Sequence, residues 1–171
     1  EGGRLNEPIH ITHDSTYVYL VDRKNNYISR FNASTGAWAG WLGVKAETQN
    51  SWRTDSVTPV LAAGTGLLES VSGITYDSQY LYVSDLAGAV LQRFTKFSGA
   101  TAGWWGLFDA RPFSGGAGCT DQTTITGKWC FGGLGGSVYE KFHSIVQDNG
   151  YLYFTGGPLN EEHGLNRIDV D

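Results

Sequence analysis

The chain has 171 residues, 40 % hydrophobic and 13 % aromatic, with a formal net charge of −5. This is enough apolar material for one domain with a substantial core, and it excludes a disordered chain. The acidic balance, with no basic cluster beyond Arg23-Lys24, argues against a surface that tracks nucleic-acid phosphates, and no apolar run approaches the roughly 20 residues of a membrane-spanning helix.

In chain order, short runs with apolar and polar residues alternating are ended by Asp, Asn, Gly and Ser. No stretch keeps apolar residues at three- and four-residue spacing, so strands rather than helices are expected. Residues 1–8 form a run-in, and its Glu1-Gly2-Gly3 reads as the start of a mature product or of a piece of a longer protein. Strands are expected at 9–13, 17–21, around Ile28-Ser29-Arg30-Phe31, and at 38–42. A long linker, 44–65, follows. A second run-in precedes strands at 72–76, 80–84, around Leu91-Gln92-Arg93-Phe94, and at 101–105. After a second linker, 107–135, a third run-in at 136–141 leads to strands at 143–147 and 151–155 and a last one ending in Arg167-Ile168.

These runs repeat. Residues 9–43 lie over 72–106 without a gap, with fifteen of thirty-five pairs identical. Asp14 falls on Asp77, Tyr19 on Tyr82, Asp22 on Asp85, Arg30 on Arg93 and Gly43 on Gly106. A third copy from Phe142 puts Asp148 on Asp77, Tyr153 on Tyr82 and Arg167 on Arg93, with an insertion at 158–163. Self-similar units of four short strands are the mark of propeller blades, so the expected fold is an all-β propeller with blades at about 3–43, 66–106 and 136–171.

The repeat carries little catalytic chemistry. Asp14, Asp77 and Asp148 precede short turns and read as caps of the turn backbone, and Asp22 and Asp85 read as turn formers. Arg30, Arg93 and Arg167 read as partners of an acid or a carbonyl on the neighbouring blade. His10, His13, His143 and His163 show no metal-ligand spacing, and neither a His-Glu-x-x-His nor a Gly-x-Ser-x-Gly motif is present. Cys119 and Cys130 are not a CxxC pair and cannot complete a zinc site. They read as a structural disulfide closing a loop, the alternative being two unpaired thiols, and a disulfide places the protein outside the cytosol.

The run Pro8-x-x-Ile11-x-x-Asp14, Tyr19-x-Val21-Asp22, Ile28-x-Arg30-Phe31 resembles the NHL repeat, as does Gly73-Ile74-x-x-Asp77, Tyr82-Val83-x-Asp85, Leu91-x-Arg93-Phe94. In the third copy Gly156 stands where Asp22 and Asp85 do. The stretch from Gly103-Trp104-Trp105 through Cys119 to Trp129-Cys130 looks like the Cys-containing loop of large bacterial surface proteins that carry NHL-like blades. The resemblance implies a binding platform, since the fold does not dictate a chemistry.

The expected function is therefore an extracellular or cell-surface recognition or adhesion module without enzymatic activity, cofactor or metal, binding a glycan or protein ligand. The alternatives are a propeller hydrolase or lyase and a structural spacer of a surface fibre. Loops on a rigid scaffold concentrate recognition, which singles out Arg23, Lys24, Asn25 and Asn26, the linker tryptophans Trp52 and Trp129, and Asn160, Glu161 and His163 of the insertion. Propellers close with about 4–8 blades. A chain with three is expected to associate as a homo-oligomer, a dimer or a trimer, or to lack the sequence that completes the ring.

Overall fold

Period-2 patterning with turn residues every six to eight positions lays the chain down as up-and-down meanders, and the result is an all-β protein. The structure, a computed structural model, describes residues 4–43, 51–54, 68, 70–86, 90–105, 139–158 and 164–170. The first sheet holds β1 (Pro8–His13), β2 (Tyr17–Asp22), β3 (Tyr27–Asn32) and β4 (Trp38–Gly43), in that order. The second holds β5 (Val71–Tyr76), β6 (Tyr80–Asp85), β7 (Val90–Thr95) and β8 (Thr101–Trp105). The third has three strands, β9 (Tyr139–Asp148), β10 (Tyr151–Pro158) and β11 (Gly164–Asp169). All pairings are antiparallel, and among the described residues no helix is long and apolar enough to cross a membrane.

The repeat extends to irregularities that the residue types alone do not announce. In every copy the register of the first strand against the second shifts at one equivalent place, skipping Ile9, Ser72 and His143. Gly36 and Gly99, at the turn into the fourth strand, adopt φ of +69° and +81°. A Cβ on Gly99 would lie 2.8 Å from the Trp52 nitrogen, so both the backbone angle and the packing require glycine there.

The aspartates act as the sequence implies in two copies of three. Asp14 Oδ1 accepts the backbone N–H of Thr16 (2.8 Å) and Tyr17 (2.7 Å), and Asp77 Oδ1 accepts those of Gln79 (2.7 Å) and Tyr80 (2.6 Å). Tyr19 and Tyr82 donate their hydroxyls to the second oxygens of the same carboxylates. Asp148 takes no such part. Its turn is made by Asn149 and Gly150 at φ of +49° and +82°, the mirror-type hairpin turn that suits an Asn-Gly pair, and Asp148 accepts from the side-chain amide of Asn149.

Asp22 and Asp85 do more than form turns. Buried Asp22 accepts the N–H groups of Asn6 (2.7 Å), Glu7 (3.1 Å) and Asn25 (3.2 Å), and Asp85 accepts that of Ser70 (3.0 Å). Each carboxylate thereby gathers N–H groups where the strand pair ends. Where Gly156 replaces the acid, the ladder runs on through Gly157↔Lys141 and Pro158↔Tyr139. The segment expected as a third run-in is therefore in part strand, from Tyr139 onward.

The core forms between sheets. Tyr19, Val21, Ile28 and Leu42 of the first sheet pack on Leu68, Val71, Ile74, Leu81, Val83 and Phe94. Tyr82 and Leu91, on the other face of the second sheet, pack on Ile145, Leu152, Phe154, Ile168 and Val170. The middle sheet thus buries both faces. Two hydrogen bonds stitch the first strands together: Ile74 N–H to His10 Nδ1 (3.2 Å) and Gln147 N–H to Thr75 Oγ1 (3.1 Å).

The two equivalent aspartates Asp77 and Asp148 should respond differently to truncation. In urea unfolding, Asp77→Ala is expected to lose about 2 kcal/mol, because two backbone donors and the buried Tyr82 hydroxyl lose their acceptor. Asp148→Ala is expected to stay within about 0.5 kcal/mol of the parent. Equal losses would contradict this account.

Candidate functional site

The strand directions put the turns at 14–16, 77–79 and 95–99 at one end of the first two sheets and the turn at 23–26 at the other. At the first of these ends lies a cleft of about 630 Å³ between the two sheets. One side is formed by Asp14, Ser15, Thr16, Tyr17 and Tyr19, and the other by Ser78, Gln79, Tyr80, Thr95, Lys96 and Phe97. Its volume falls in the range of small-ligand sites.

Lys96 joins the two sides. Its Nζ lies 3.1 Å from Asp14 Oδ2 and donates to the Asp77 carbonyl oxygen at 3.1 Å, with the ammonium 4.9 Å from the Tyr76 ring centre. In the other two copies this position holds Ala33 and Val170, as the shared bond from its N–H to the first hairpin turn shows (Thr16, Gln79 and Gly150 carbonyls). The lysine is thus specific to the junction of the first two sheets. Burial pushes the Asp14 carboxyl up, but its backbone donors Tyr17 and Thr16 and the Lys96 ammonium outweigh that, and the net shift is downward. Burial, with Asp14 beside it, raises the Tyr19 hydroxyl far above its ordinary range; burial and the Asp77 bond do the same for Tyr82. Both phenols stay protonated and act as donors.

Phe97 is 92 % exposed at the cleft rim, on the tight turn closed by Gly99 N–H to the Thr95 carbonyl (2.7 Å). Below it the junction is packed by the arginine stacks. The Arg30 guanidinium lies 4.4 Å from the Tyr17 ring centre and 4.2 Å from that of Trp52, and Trp52 Nε1 donates to the Lys96 carbonyl (3.0 Å). Arg93 lies over Tyr80 (4.4 Å) and donates to the Val170 carbonyl (3.4 Å), the equivalent bond made directly. Arg167 lies over Tyr151 (4.5 Å). Desolvation lowers the basicity of Arg30 and Arg93, and the facing rings compensate the cations there.

Of the residues singled out from sequence, Arg23, Lys24, Asn25 and Asn26 come together at the end opposite the cleft. Arg23 pairs with Glu7, and Lys24 lies 3.7 Å from the same carboxylate. Asn25 donates to the Arg4 carbonyl, Asp22 and the Tyr27 hydroxyl, and Asn26 is buried with φ of +53°. This turn is knitted to the chain's own run-in. Trp52 packs inside the sheet junction, with its N–H bonded to the Ser98 carbonyl (3.0 Å), and does not line the cleft. Trp129, Asn160, Glu161, His163 and the cysteines Cys119 and Cys130 lie outside the described residues.

The cleft residues Tyr17, Tyr80, Lys96 and Phe97 were not singled out from sequence. The available signal was the break in repeat identity at Ala33 and Lys96, beside an aromatic in a turn. Among the described residues, no three His, Cys, Asp or Glu side chains are placed to share a metal ion. The chain matches no family model and has no significant match among curated sequences.

Because the folded-state pKa of Asp14 is lowered, its carboxylate stabilises the fold fully above the ordinary carboxylate pKa, and that contribution is lost as pH falls through the lowered value. Asp14→Asn should melt below the parent at pH 7, with the gap closing as pH drops below about 4 toward 2. A gap independent of pH, measured by calorimetry, would refute the Asp14 assignment.

Proposed function

We propose that the chain is a recognition module built on NHL-like propeller blades and acting outside the cytosol, and that the cleft between its first two sheets takes a glycan. The observation that carries this reading is the composition of the cleft. The Tyr17, Tyr80 and Phe97 rings provide apolar platforms, while the hydroxyls of Ser15, Thr16 and Ser78 and the Gln79 amide belong to the same walls. A sugar ring presents an apolar face and a rim of hydroxyls, and is met by this mixture of aromatic surface and small polar groups. The Lys96–Asp14 bridge ties the two walls together before ligand arrives, which lowers the ordering penalty of binding.

The glycan reading is favoured over a protein ligand because the recess is concave and small, whereas protein partners take broad surfaces. Recognition is assigned to this end of the sheets and not to the turn at 23–26, where Arg23 pairs with Glu7 of the run-in and Asn25 is bonded to the Arg4 carbonyl, Asp22 and the Tyr27 hydroxyl.

On an array of bacterial and host cell-surface glycans, the protein is expected to retain a defined subset. Phe97→Ala should weaken binding to the retained glycans about tenfold, roughly 1.4 kcal/mol, without changing the melting temperature, since Phe97 is exposed. An array that retains nothing, or a Phe97→Ala variant that binds as tightly as the parent, overturns the reading.

A further inference from the structure

Each sheet has two different faces, and the junctions use them in the same way twice. In one junction Tyr19 and Ile28 of the first sheet meet Ile74, Leu81, Val83 and Phe94 of the second. In the other, the equivalents Tyr82 and Leu91 of the second sheet meet Ile145, Leu152, Phe154 and Ile168 of the third. The described chain therefore leaves one face of each kind unmatched. Leu165 of the third sheet, at the repeat position of Ile28 and Leu91, is 75 % exposed where those two are 0 %. Ile11 of the first sheet, at the position of Ile74 and Ile145, is 60 % exposed where those are 1 % and 3 %. Around Ile11 the equivalents of Leu81, Val83 and Phe94 are Val18, Leu20 and Phe31, half-buried where their counterparts are at most 1 % exposed.

We infer that the Leu165 face of one copy of this chain docks on the Ile11 face of a second copy, head to tail, reproducing between chains the junction already made twice within one. The polar register fits as well as the apolar one. Arg93 donates to the carbonyl of Val170 on the next sheet, and Arg30 reaches the Lys96 carbonyl through Trp52. Arg167 holds the same stack on Tyr151, and the carbonyl at the matching position of the second copy is that of Ala33. Because the two faces differ, the contact is heterologous and closes by rotation. Two copies of three sheets make a ring of six, within the propeller range of about 4–8. This inference rests on the repeat faces and is independent of the glycan cleft, which lies between sheets of one chain.

Light scattering on the 171-residue protein is expected to give a dimer. Leu165→Asp and Ile11→Asp each place a charge on one of the two faces at an exposed position, and each variant alone should be a folded monomer by near-ultraviolet circular dichroism. Mixed in equal amounts, the two variants should form a 1:1 heterodimer, since each keeps the face that the other has lost. Arg167→Ala, which leaves both apolar faces intact, should weaken the parent dimer at least tenfold. A parent that is monomeric because its own chain covers these faces, or variants that remain dimeric, overturns the inference. So does a mixture that stays monomeric, because two faces that each pair with themselves cannot complement in this way.

Discussion

A four-stranded sheet that buries both of its faces must have a neighbour on each side, and this requirement governs the whole chain. The second sheet meets it in full: Leu81 and Val83 face the first sheet while Tyr82 faces the third. Its middle strand, with five consecutive buried residues, shows what full coverage does to a pattern that merely alternates in sequence. Among the described residues the first and third sheets carry the same residue pattern with one neighbour each, and their outer faces show it, with Ile11 and Leu165 exposed where Ile74 and Leu91 are buried. Apolar exposure here follows from position in the series and not from composition.

Polar groups inside the series follow the same logic of local satisfaction. A carboxylate buried where two strands part is tolerable because backbone N–H groups without ladder partners surround it. Asp22 collects three of them and Asp14 two. Removing the acid, as nature has done at Gly156, does not leave the donors stranded; the strands pair further instead. Arg30 and Arg93 meet ring faces and carbonyls, while Lys96 is the cation that pairs with an acid, Asp14, across the first junction.

Much of this was legible in the sequence and some was not, for reasons that lie in particular residues. Asp14 and Asp77 could be read as turn caps because an Asx carboxylate reaches the N–H groups two and three residues on without help from the rest of the chain. Asp148 reads the same in one dimension, but Asn149-Gly150 supplies positive φ at both turn positions, and the cap is not needed. The reach of Asp22 to Asn6 and Glu7 spans sixteen and fifteen residues, and no local rule signals it. Trp52 was an aromatic in a long linker singled out for ligand contact, and its neighbours Tyr19, Arg30 and the Lys96 carbonyl place it in the packing of the junction.

By itself the sequence determined the strands, their breaks, the threefold repetition and the residues each copy shares, because these depend on spacing of two and on turn chemistry that acts over a few residues. Tertiary structure alone decided which of the repeated positions are dry, which end of the sheets opens into a cleft, and that Lys96 reaches back to Asp14 across the junction. Those outcomes depend on which sheet stands next to which, a relation between residues scores of positions apart. Identical repeats cannot encode it, since each copy presents the same two faces and only its place in the series says what will cover them.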